Sequence, residues 1–268
     1  MLYFVGTPIG NLKDISFRAL EVLREVDEIA CEDTRHSLGL LNAYEIKKPL
    51  FSYHKFNEKE AGEKIIEKLK AGKNIALITD AGMPVISDPG NILTKMLIEN
   101  GEEFTVIPGA CAFVSALVLS GLDSGRFCFL GFMPEKSGER KAFLEKYKNL
   151  DVTLIFYSAP HDVKKDIESI YSVFGDRRAV AVKEITKIHE KSLRFNLKDG
   201  LDGEQKGEFV ILVEGAKEQN DNLKLTEKEH IELYIKNGMD KKEALKAVAK
   251  ERGVSKSSLY KYTIEENL

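Results

Sequence analysis

One repeated pattern constrains the fold more than any other feature of the sequence. A short apolar strand leads into a loop of glycine, proline and carboxylate residues, and the loop leads into a helix. The strand at residues 75–79 is almost continuously apolar, which predicts burial on both faces, as in a parallel sheet. The helix at residues 58–69 carries apolar residues at steps of four. We therefore expect an α/β fold with a largely parallel sheet and with ligand-binding loops at the carboxyl ends of its strands.

Turn-rich and polar stretches indicate how this fold is divided. A length of 268 residues suits one or two domains. Turn residues concentrate at 121–138 and predict the link to a second domain, and the polar stretch 216–223 predicts a linker. Two short helices around a turn at Gly253 then have the outline of a helix-turn-helix. The expected divisions are an N-terminal α/β domain at 1–120, a C-terminal α/β domain at 121–216 and a helix-turn-helix-like module at 224–268.

The overall charge does not point to a nucleic-acid binder, but its distribution is uneven. The chain has 40 basic and 43 acidic residues and a formal net charge of −3. Residues 241–261 carry seven basic residues against two acidic ones. Contact with a polyanion through the C-terminal tail would therefore have to use this stretch.

Several classes of protein are disfavoured by what the sequence lacks. Three cysteines without a C-x-x-C pair argue against a disulfide framework and against a structural zinc site. The five histidines have no metal-ligand spacing, so we expect no metal. No run of about 18 apolar residues occurs, and the N-terminus lacks a basic segment before its apolar stretch. We expect a cytoplasmic protein that makes no membrane contact. The P-loop, dinucleotide-binding, zincin and nucleophile-elbow motifs are also absent.

Three loops that follow predicted strands are candidates for a ligand site. The loops at 6–12 and 108–112 have small or glycine residues that allow a ligand to approach the backbone closely. The loop at 80–90 adds two carboxylates, which can hold ribose hydroxyls or an ammonium group. Each loop also has a purely structural interpretation, as an ordinary turn or as close helix–sheet packing. Asp88 in particular can cap a helix that begins near Pro89.

A fourth strand end combines a carboxylate with an arginine. Glu32-Asp33-Thr34-Arg35 follows a short apolar strand. In a purely structural interpretation, Asp33 or Thr34 does no more than cap the helix that follows. At a cleft, the same residues can orient a substrate hydroxyl and bind a phosphate.

Taken together and in order, these motifs resemble the tetrapyrrole-methylase superfamily, and more closely its ribosomal branch, the small-subunit (16S) ribosomal RNA cytidine-2′-O-methyltransferases. The resemblance covers nearly the whole chain. Its later matches are Gly131-Phe132-Met133-Pro134, Tyr157-Ser158-Ala159-Pro160-His161, Lys183-Glu184-Ile185-Thr186-Lys187, His189-Glu190 and Gly207-Glu208-Phe209-Val210. Met83 stands where the family commonly has a hydroxyl residue, and we expect it to make no side-chain hydrogen bond there.

The resemblance implies two α/β domains, with a mixed sheet in the second, a small C-terminal helical module and a homodimer. It also implies that S-adenosylmethionine is folded into the cleft between the domains, and that small-subunit ribosomal RNA or the 30S subunit is the partner. The cofactor-binding residues that it implies are Pro8, Asp80, Gly82, Met83, Cys111, Ala112, Tyr157, Lys183 and Glu208.

The reaction that the resemblance implies is an in-line transfer of a methyl group to a ribose hydroxyl in the decoding region of the RNA. Alignment of the reactants supplies much of the rate, and a positioned base adds about 10²–10⁴-fold. Our first candidate for the base is Asp33 and our second is Glu190. Arg35 and Lys187 are the expected phosphate or orientation partners.

Two other functions fit parts of the sequence. A small-molecule methyltransferase acting on a corrinoid or tetrapyrrole precursor would share the cofactor loops, but it does not account for Glu32-Asp33-Thr34-Arg35 or for the basic C-terminal helices. A helix-turn-helix regulator with a ligand-sensing body would explain the tail, but it leaves the loop motifs without a purpose.

Overall fold

The computed structural model describes residues 1–203, 206–217 and 225–263. The chain forms two compact units, Met1–Gly215 and Ala216–Leu268. Most of the predicted linker, residues 218–223, lies outside the described residues, as do positions 224 and 264–268 of the predicted module.

The first part of the larger unit alternates strands and helices as the sequence predicts. Five parallel strands form a sheet in the order β3-β2-β4-β1-β5. The elements are β1 (Leu2–Val5), α1 (Phe17–Glu25), β2 (Glu28–Cys31), α2 (Thr34–Ala43), β3 (Leu50–Ser52), α3 (Glu58–Lys70), β4 (Ile75–Ile78), α4 (Asn91–Asn100), β5 (Phe104–Ile107) and α5 (Ala112–Ser120).

Helices cover both faces of this sheet, which explains its continuously apolar strands. Leu77 on β4 packs in one core with Ile65 of α3 and Leu97 of α4. Its neighbour Ile78 packs in a second core, on the other face, with Leu23 of α1. All four residues of β4 are buried. Because the strands are parallel, the loops that follow them meet at one edge of the sheet.

The rest of the larger unit forms a mixed sheet. Its strand order is β6-β7-β10-β8-β9, in which only β6 and β7 are parallel and the other neighbours are antiparallel. The elements are β6 (Phe127–Phe132), α6 (Ser137–Glu145), β7 (Thr153–Ser158), α7 (Val163–Phe174), β8 (Arg178–Lys183), β9 (Lys191–Asn196) and β10 (Phe209–Val213). The α/β fold with a parallel sheet followed by a mixed sheet is therefore confirmed.

The pairing of β6 with β7 is interrupted near its end. Phe129 pairs with Ile155, but Phe132 pairs with Tyr157, so β6 contains one extra residue between these pairs. Gly131 lies in this interval with φ = 64°, in the left-handed region that favours glycine. Such a bulge redirects the strand that carries it.

The described residues of the smaller unit form three α-helices, α8 (Glu227–Lys236), α9 (Lys241–Arg252) and α10 (Lys256–Leu259), and a 3-10 helix at Tyr260–Thr263. The sequence predicts a capping box at Asp240, and the Asp240 side chain does accept hydrogen bonds from the amides of Lys242 and Glu243. The reciprocal capping box is found one helix earlier, between Thr226 and Glu229. Leu245, Val248 and Leu259 are among the residues that form the core of this unit.

Three strands are not apparent from the sequence: β3, β6 and β9. Each lies at an edge of its sheet, and none of its residues is buried. β3 has three residues and β9 is mostly polar, whereas β6 is apolar but lies in the turn-rich stretch 121–138 that the sequence predicts to be a link. The end of β6 also includes the glycine of the bulge. A further difference is that α4 begins at Asn91 with Gly90 as its N-cap, so Asp88 does not cap it.

Candidate functional site

A cavity of about 360 Å³ lies in the larger unit and is lined by both sheets. The first sheet contributes the loops after β4 and β5, and the second contributes the ends of β6, β7 and β8 and the start of β10. Seven of the nine residues predicted to bind the cofactor line it: Asp80, Gly82, Met83, Cys111, Ala112, Tyr157 and Glu208. Residues more than 120 positions apart in sequence are thus brought to one cavity.

The other two predicted residues are adjacent to lining residues. Pro8 follows Thr7, whose amide donates a hydrogen bond to the carbonyl of Gly82 over 2.9 Å. The Lys183 ammonium nitrogen lies 5.6 Å from the ring centre of Phe209, which lines the cavity. Pro8 and Lys183 therefore border the cavity and are not part of its lining.

The loop after β4 is held in a conformation that its residues rarely adopt. Val85 and Ser87 have φ angles of 76° and 66°, and Gly82 and Gly90 also have positive φ. A β-branched residue in the left-handed region is a true outlier. Strain of this kind, of order 1–3 kcal/mol per residue, clusters at functional sites.

The loops after β1 and β5 touch through their backbones. The amide of Gly6 donates to the Ile107 carbonyl over 3.0 Å. A Cβ atom on Gly6 would lie 2.6 Å from the Gly109 Cα, so only glycine fits. The amide of Gly109 in turn donates to the Met83 Sδ over 3.3 Å. The expectation that Met83 makes no side-chain hydrogen bond is therefore wrong, because a thioether sulfur is a weak acceptor.

Aromatic rings form one wall of the cavity. The ring centre of Tyr157 lies 4.9 Å from that of Phe129 and 5.4 Å from that of Phe132. Tyr157 and Phe132 line the cavity directly. Burial raises the pKa of the Tyr157 hydroxyl to about 12, so it is protonated at neutral pH. This wall provides apolar surface for a flat ring.

Asp88 is a carboxylate of the cavity that is not among the site residues predicted from the sequence. It lines the cavity together with Asp80. Burial, reinforced by the negative charge of Glu32, raises the pKa of Asp88 to about 6. Burial and the charge of Asp80 also raise the pKa of Glu32. The only sequence signal for Asp88 is its place in the loop at 80–90, where helix capping was an equally good explanation.

The Asp33 side chain is not among the groups that line the cavity. It is the N-cap of α2 and accepts a hydrogen bond from the Arg35 amide over 2.8 Å. This hydrogen bond lowers the pKa of Asp33. The Asp33 and Arg35 side chains are 46% and 93% exposed. Asp33 is therefore open to solvent at the end of β2.

Lys187 and Glu190 lie in the loop between β8 and β9. The Lys187 Nζ is 3.0 Å from a Glu184 oxygen and 2.9 Å from a Glu208 oxygen, which connects it to a lining residue. Glu190 is exposed and accepts a hydrogen bond from the Thr186 amide over 2.7 Å. Thr186 and Glu184 have positive φ angles. This loop is thus a second strained segment next to the cavity.

Two negative findings apply to the described residues, 1–203, 206–217 and 225–263. They contain no group of three or more histidine, cysteine or carboxylate side chains placed to hold a metal ion. None of their helices has the length and apolar character needed to cross a membrane.

Comparison with known proteins agrees with this geometry. Residues 1–200 match the family described as Tetrapyrrole (Corrin/Porphyrin) Methylases. The chain is 42% identical to the Ribosomal RNA small subunit methyltransferase I of Bacillus subtilis, with 97% of this chain and 92% of the relative aligned. It is 45% identical to the protein of the same name from Haemophilus influenzae, over 98% and 95%.

Solved structures share the fold. Diphthine synthase superposes with a TM-score of 0.60 at 18% identity, covering 80% of this chain and 89% of that one. Uroporphyrin-III-C-methyltransferase from Thermus thermophilus superposes with a TM-score of 0.56 at 18% identity, covering 80% and 93%. The family match and the full-length relatives together confirm the resemblance: the chain belongs to the tetrapyrrole methylase family, on the branch of the small-subunit ribosomal RNA methyltransferases.

Proposed function

We propose that this chain transfers a methyl group from S-adenosylmethionine to the ribose 2′-hydroxyl of a cytidine in the decoding region of small-subunit (16S) ribosomal RNA. The observation that carries the proposal is the alignment, over almost the full length, with relatives named for small-subunit ribosomal RNA methylation. The cavity supports it, because most of the residues expected to hold the cofactor line one space. The corrinoid enzyme and the DNA-binding regulator are not favoured by these relatives.

The cavity residues suit S-adenosylmethionine. Methyltransferases of this family use it, and it supplies an activated methyl group on a sulfonium. One buried oxygen of Asp80 has no protein hydrogen-bond partner, so it is available to a ligand hydroxyl or ammonium group. The contact between Gly6 and Gly109 keeps side chains away from the loop backbone. Tyr157 offers a ring for an adenine to pack against. We propose that these groups, with Gly82, Met83, Cys111, Ala112 and Glu208, hold the cofactor, and that Pro8 and Lys183 support them.

The ribose hydroxyl must lose a proton as it is methylated, and we propose Asp88 as the acceptor. Asp88 lines the cavity, and a pKa near 6 keeps it ionised at pH 7.5 while leaving it more basic than an ordinary aspartate. Asp33 and Glu190 are the alternatives from the sequence. Asp33 is the weaker base, because its capping hydrogen bond stabilises the charged form. Arg35 and Lys187 remain candidates for phosphate or orientation contacts.

Single-turnover rates distinguish the three carboxylates. Asp88→Asn should lower the rate by about 10²-fold or more and leave the affinity for S-adenosylmethionine unchanged. Asp33→Asn and Glu190→Gln should lower the rate less. The wild-type rate should rise with pH through about 6, and the Asp88 variant should lack this rise. A full rate in Asp88→Asn would move the role to Asp33 or Glu190.

We propose that the smaller unit contacts the RNA. Three exposed lysines, Lys242, Lys246 and Lys250, lie at steps of four along α9 and so share one face. Phosphate contacts of this kind supply most sequence-independent affinity for nucleic acid. Replacing the three by glutamine should weaken RNA binding and flatten its salt dependence. The matched control replaces three exposed lysines of the larger unit, Lys95, Lys141 and Lys146.

Three finer points complete the proposal. The enzyme acts on ribosomal RNA or the 30S subunit in the cytoplasm, and it works as a homodimer. The dimer is supported by the family resemblance and by large apolar side chains at the surface, among them Val118 at 78% and Ile98 at 65% exposure. Sedimentation should give the mass of two chains. A single-chain mass at micromolar concentration would contradict the dimer.

The function as a whole is tested with three acceptors. Purified protein and radiolabelled S-adenosylmethionine are incubated with small ribosomal subunits, with a corrinoid precursor or with duplex DNA. Label on the RNA alone is expected. Label on the corrinoid precursor, or DNA binding without any transfer, would support the alternatives.

A further inference from the structure

A buried ion pair lies behind the wall that the second sheet contributes to the cavity. Arg140 on α6 and Asp166 on α7 are 2% and 3% exposed, and the Arg140 Nη1 is 3.3 Å from the Asp166 Oδ1. Taking two charges out of water costs several kcal/mol per ion, and well-packed apolar residues of similar volume are often at least as stabilising. The stability of the fold alone therefore does not explain why these two charges are buried.

Each member of the pair holds a segment that borders the cavity. The Ser158 hydroxyl donates to Asp166 Oδ2 over 2.6 Å, and Ser158 ends β7 and lines the cavity. The Arg140 Nε donates to the Pro134 carbonyl over 2.9 Å. Pro134 lies two residues after Phe132, which ends β6 and also lines the cavity. The ion pair thus connects the ends of β6 and β7.

This connection lies beside an irregularity in the pairing of β6 with β7. The bulge at Gly131 interrupts the ladder between β6 and β7 shortly before both strands end. After the bulge, the pairing of Phe132 with Tyr157 is the only one left between these strands. The spacing of the two strand ends is then held by this one pairing, by the contact between the Phe132 and Tyr157 rings, and by links outside the ladder. The ion pair supplies one such link, from Ser158 to Pro134.

We propose that Arg140 and Asp166 are positioning residues that hold the ends of β6 and β7 at the spacing the methyl donor needs. The inference rests on the proposed function, because it takes the cavity to be the S-adenosylmethionine site. Neither residue is among those that line the cavity. Their effect would be transmitted through Ser158 and through the segment from Phe132 to Pro134.

The test replaces both charges at once, as Arg140→Met with Asp166→Leu, because removing one would leave the other buried and unpaired. We expect the urea midpoint of unfolding to stay the same or rise. We expect the S-adenosylmethionine dissociation constant and KM to increase at least tenfold, with a smaller change in kcat. The matched control is Lys136→Met with Glu139→Leu. These two residues form an exposed ion pair at the start of α6, in which the Lys136 Nζ lies 3.0 Å from a Glu139 carboxylate oxygen. The control should bind the donor as the wild type does.

The outcomes separate the possible failures. A double variant that folds and keeps the wild-type dissociation constant and KM would overturn the positioning role. If the double variant does not fold, Ser158→Ala decides, because it removes only the hydroxyl that links the pair to the cavity. Unchanged donor affinity in Ser158→Ala would then overturn the inference. A wild-type protein that binds no S-adenosylmethionine would instead contradict the proposed function.

Discussion

Replacing Asp88 by asparagine should stabilise the protein at neutral pH while it impairs the reaction. The folded state raises the pKa of Asp88 from 3.8 to about 6, mainly by burial. The negative charges of Glu32 after β2 and Asp80 after β4 raise this pKa further, and the Thr79 side chain partly opposes the rise. The folded protein thus disfavours the charge that the unfolded chain tolerates, and asparagine removes that charge with little change in shape.

The sign and size follow from proton linkage. Below pH 3.8 Asp88 is protonated in both the folded and the unfolded state, so it does not change the free energy of unfolding. Between 3.8 and about 6 the folded protein retains a proton that the unfolded chain has released, so stability falls as pH rises through this window. Each pKa unit corresponds to about 1.4 kcal/mol, which sets a ceiling of about 3 kcal/mol above pH 6. Partial solvent screening of this half-buried group reduces the expected gain in Asp88→Asn to about 1–3 kcal/mol.

Urea unfolding followed by circular dichroism from pH 4 to pH 8 measures this effect. Asp88→Asn should be more stable than the wild type at pH 7.5, and the difference should shrink towards zero at pH 4. Asp202→Asn, at an exposed position, controls for the loss of one negative charge. A variant that is no more stable at pH 7.5, or a difference that does not depend on pH, would refute the reasoning.

Three further predictions concern other parts of the chain. Gly82→Val should weaken S-adenosylmethionine binding at least tenfold by calorimetry, because Gly82 has φ = 83° and a Cβ there would lie 3.2 Å from the Ile9 Cγ2; undiminished affinity would remove this loop from the site. Asp33→Ala should cost about 1 kcal/mol of unfolding free energy by loss of the α2 cap, whereas Asp33→Asn should keep it, and equal stabilities would argue against the cap. Truncation after Gly215 should leave the larger unit folded with wild-type cofactor affinity but weaker, less salt-dependent RNA binding; an unchanged salt slope would place the RNA surface on the larger unit.

The parts of the fold that follow from local sequence were predictable, and those that depend on distant contacts were not. β4 is predictable because burial on both faces makes a strand continuously apolar, and the loop of interest is the one that follows this strand. β9 is an edge strand with no fully buried residue, so the sequence gives little sign of it.

The same distinction applies to the site. Glycine and proline patterns point to the loops of the cavity, but the roles of individual side chains depend on what they meet in space. The pKa of Asp88 is raised mainly because the fold buries this side chain, and secondly because Glu32, 56 positions earlier, is brought near it. The Arg140–Asp166 pair likewise joins two helices, and nothing in the sequence around either residue indicates that its charge is buried. The Met83 sulfur accepts a hydrogen bond from the Gly109 amide, which lies in another loop. The sequence does not indicate this contact, because Met83 stands where the family commonly has a hydroxyl residue.

The most direct test of the central claim is to map where the methyl group goes. Small ribosomal subunits from cells that lack this enzyme are incubated with the purified protein and labelled S-adenosylmethionine, and the RNA is digested and analysed by mass spectrometry. We expect one methyl group per subunit, on the ribose 2′-oxygen of a cytidine in the decoding region. A methyl group on a base, on a ribosomal protein or on no part of the subunit would contradict it.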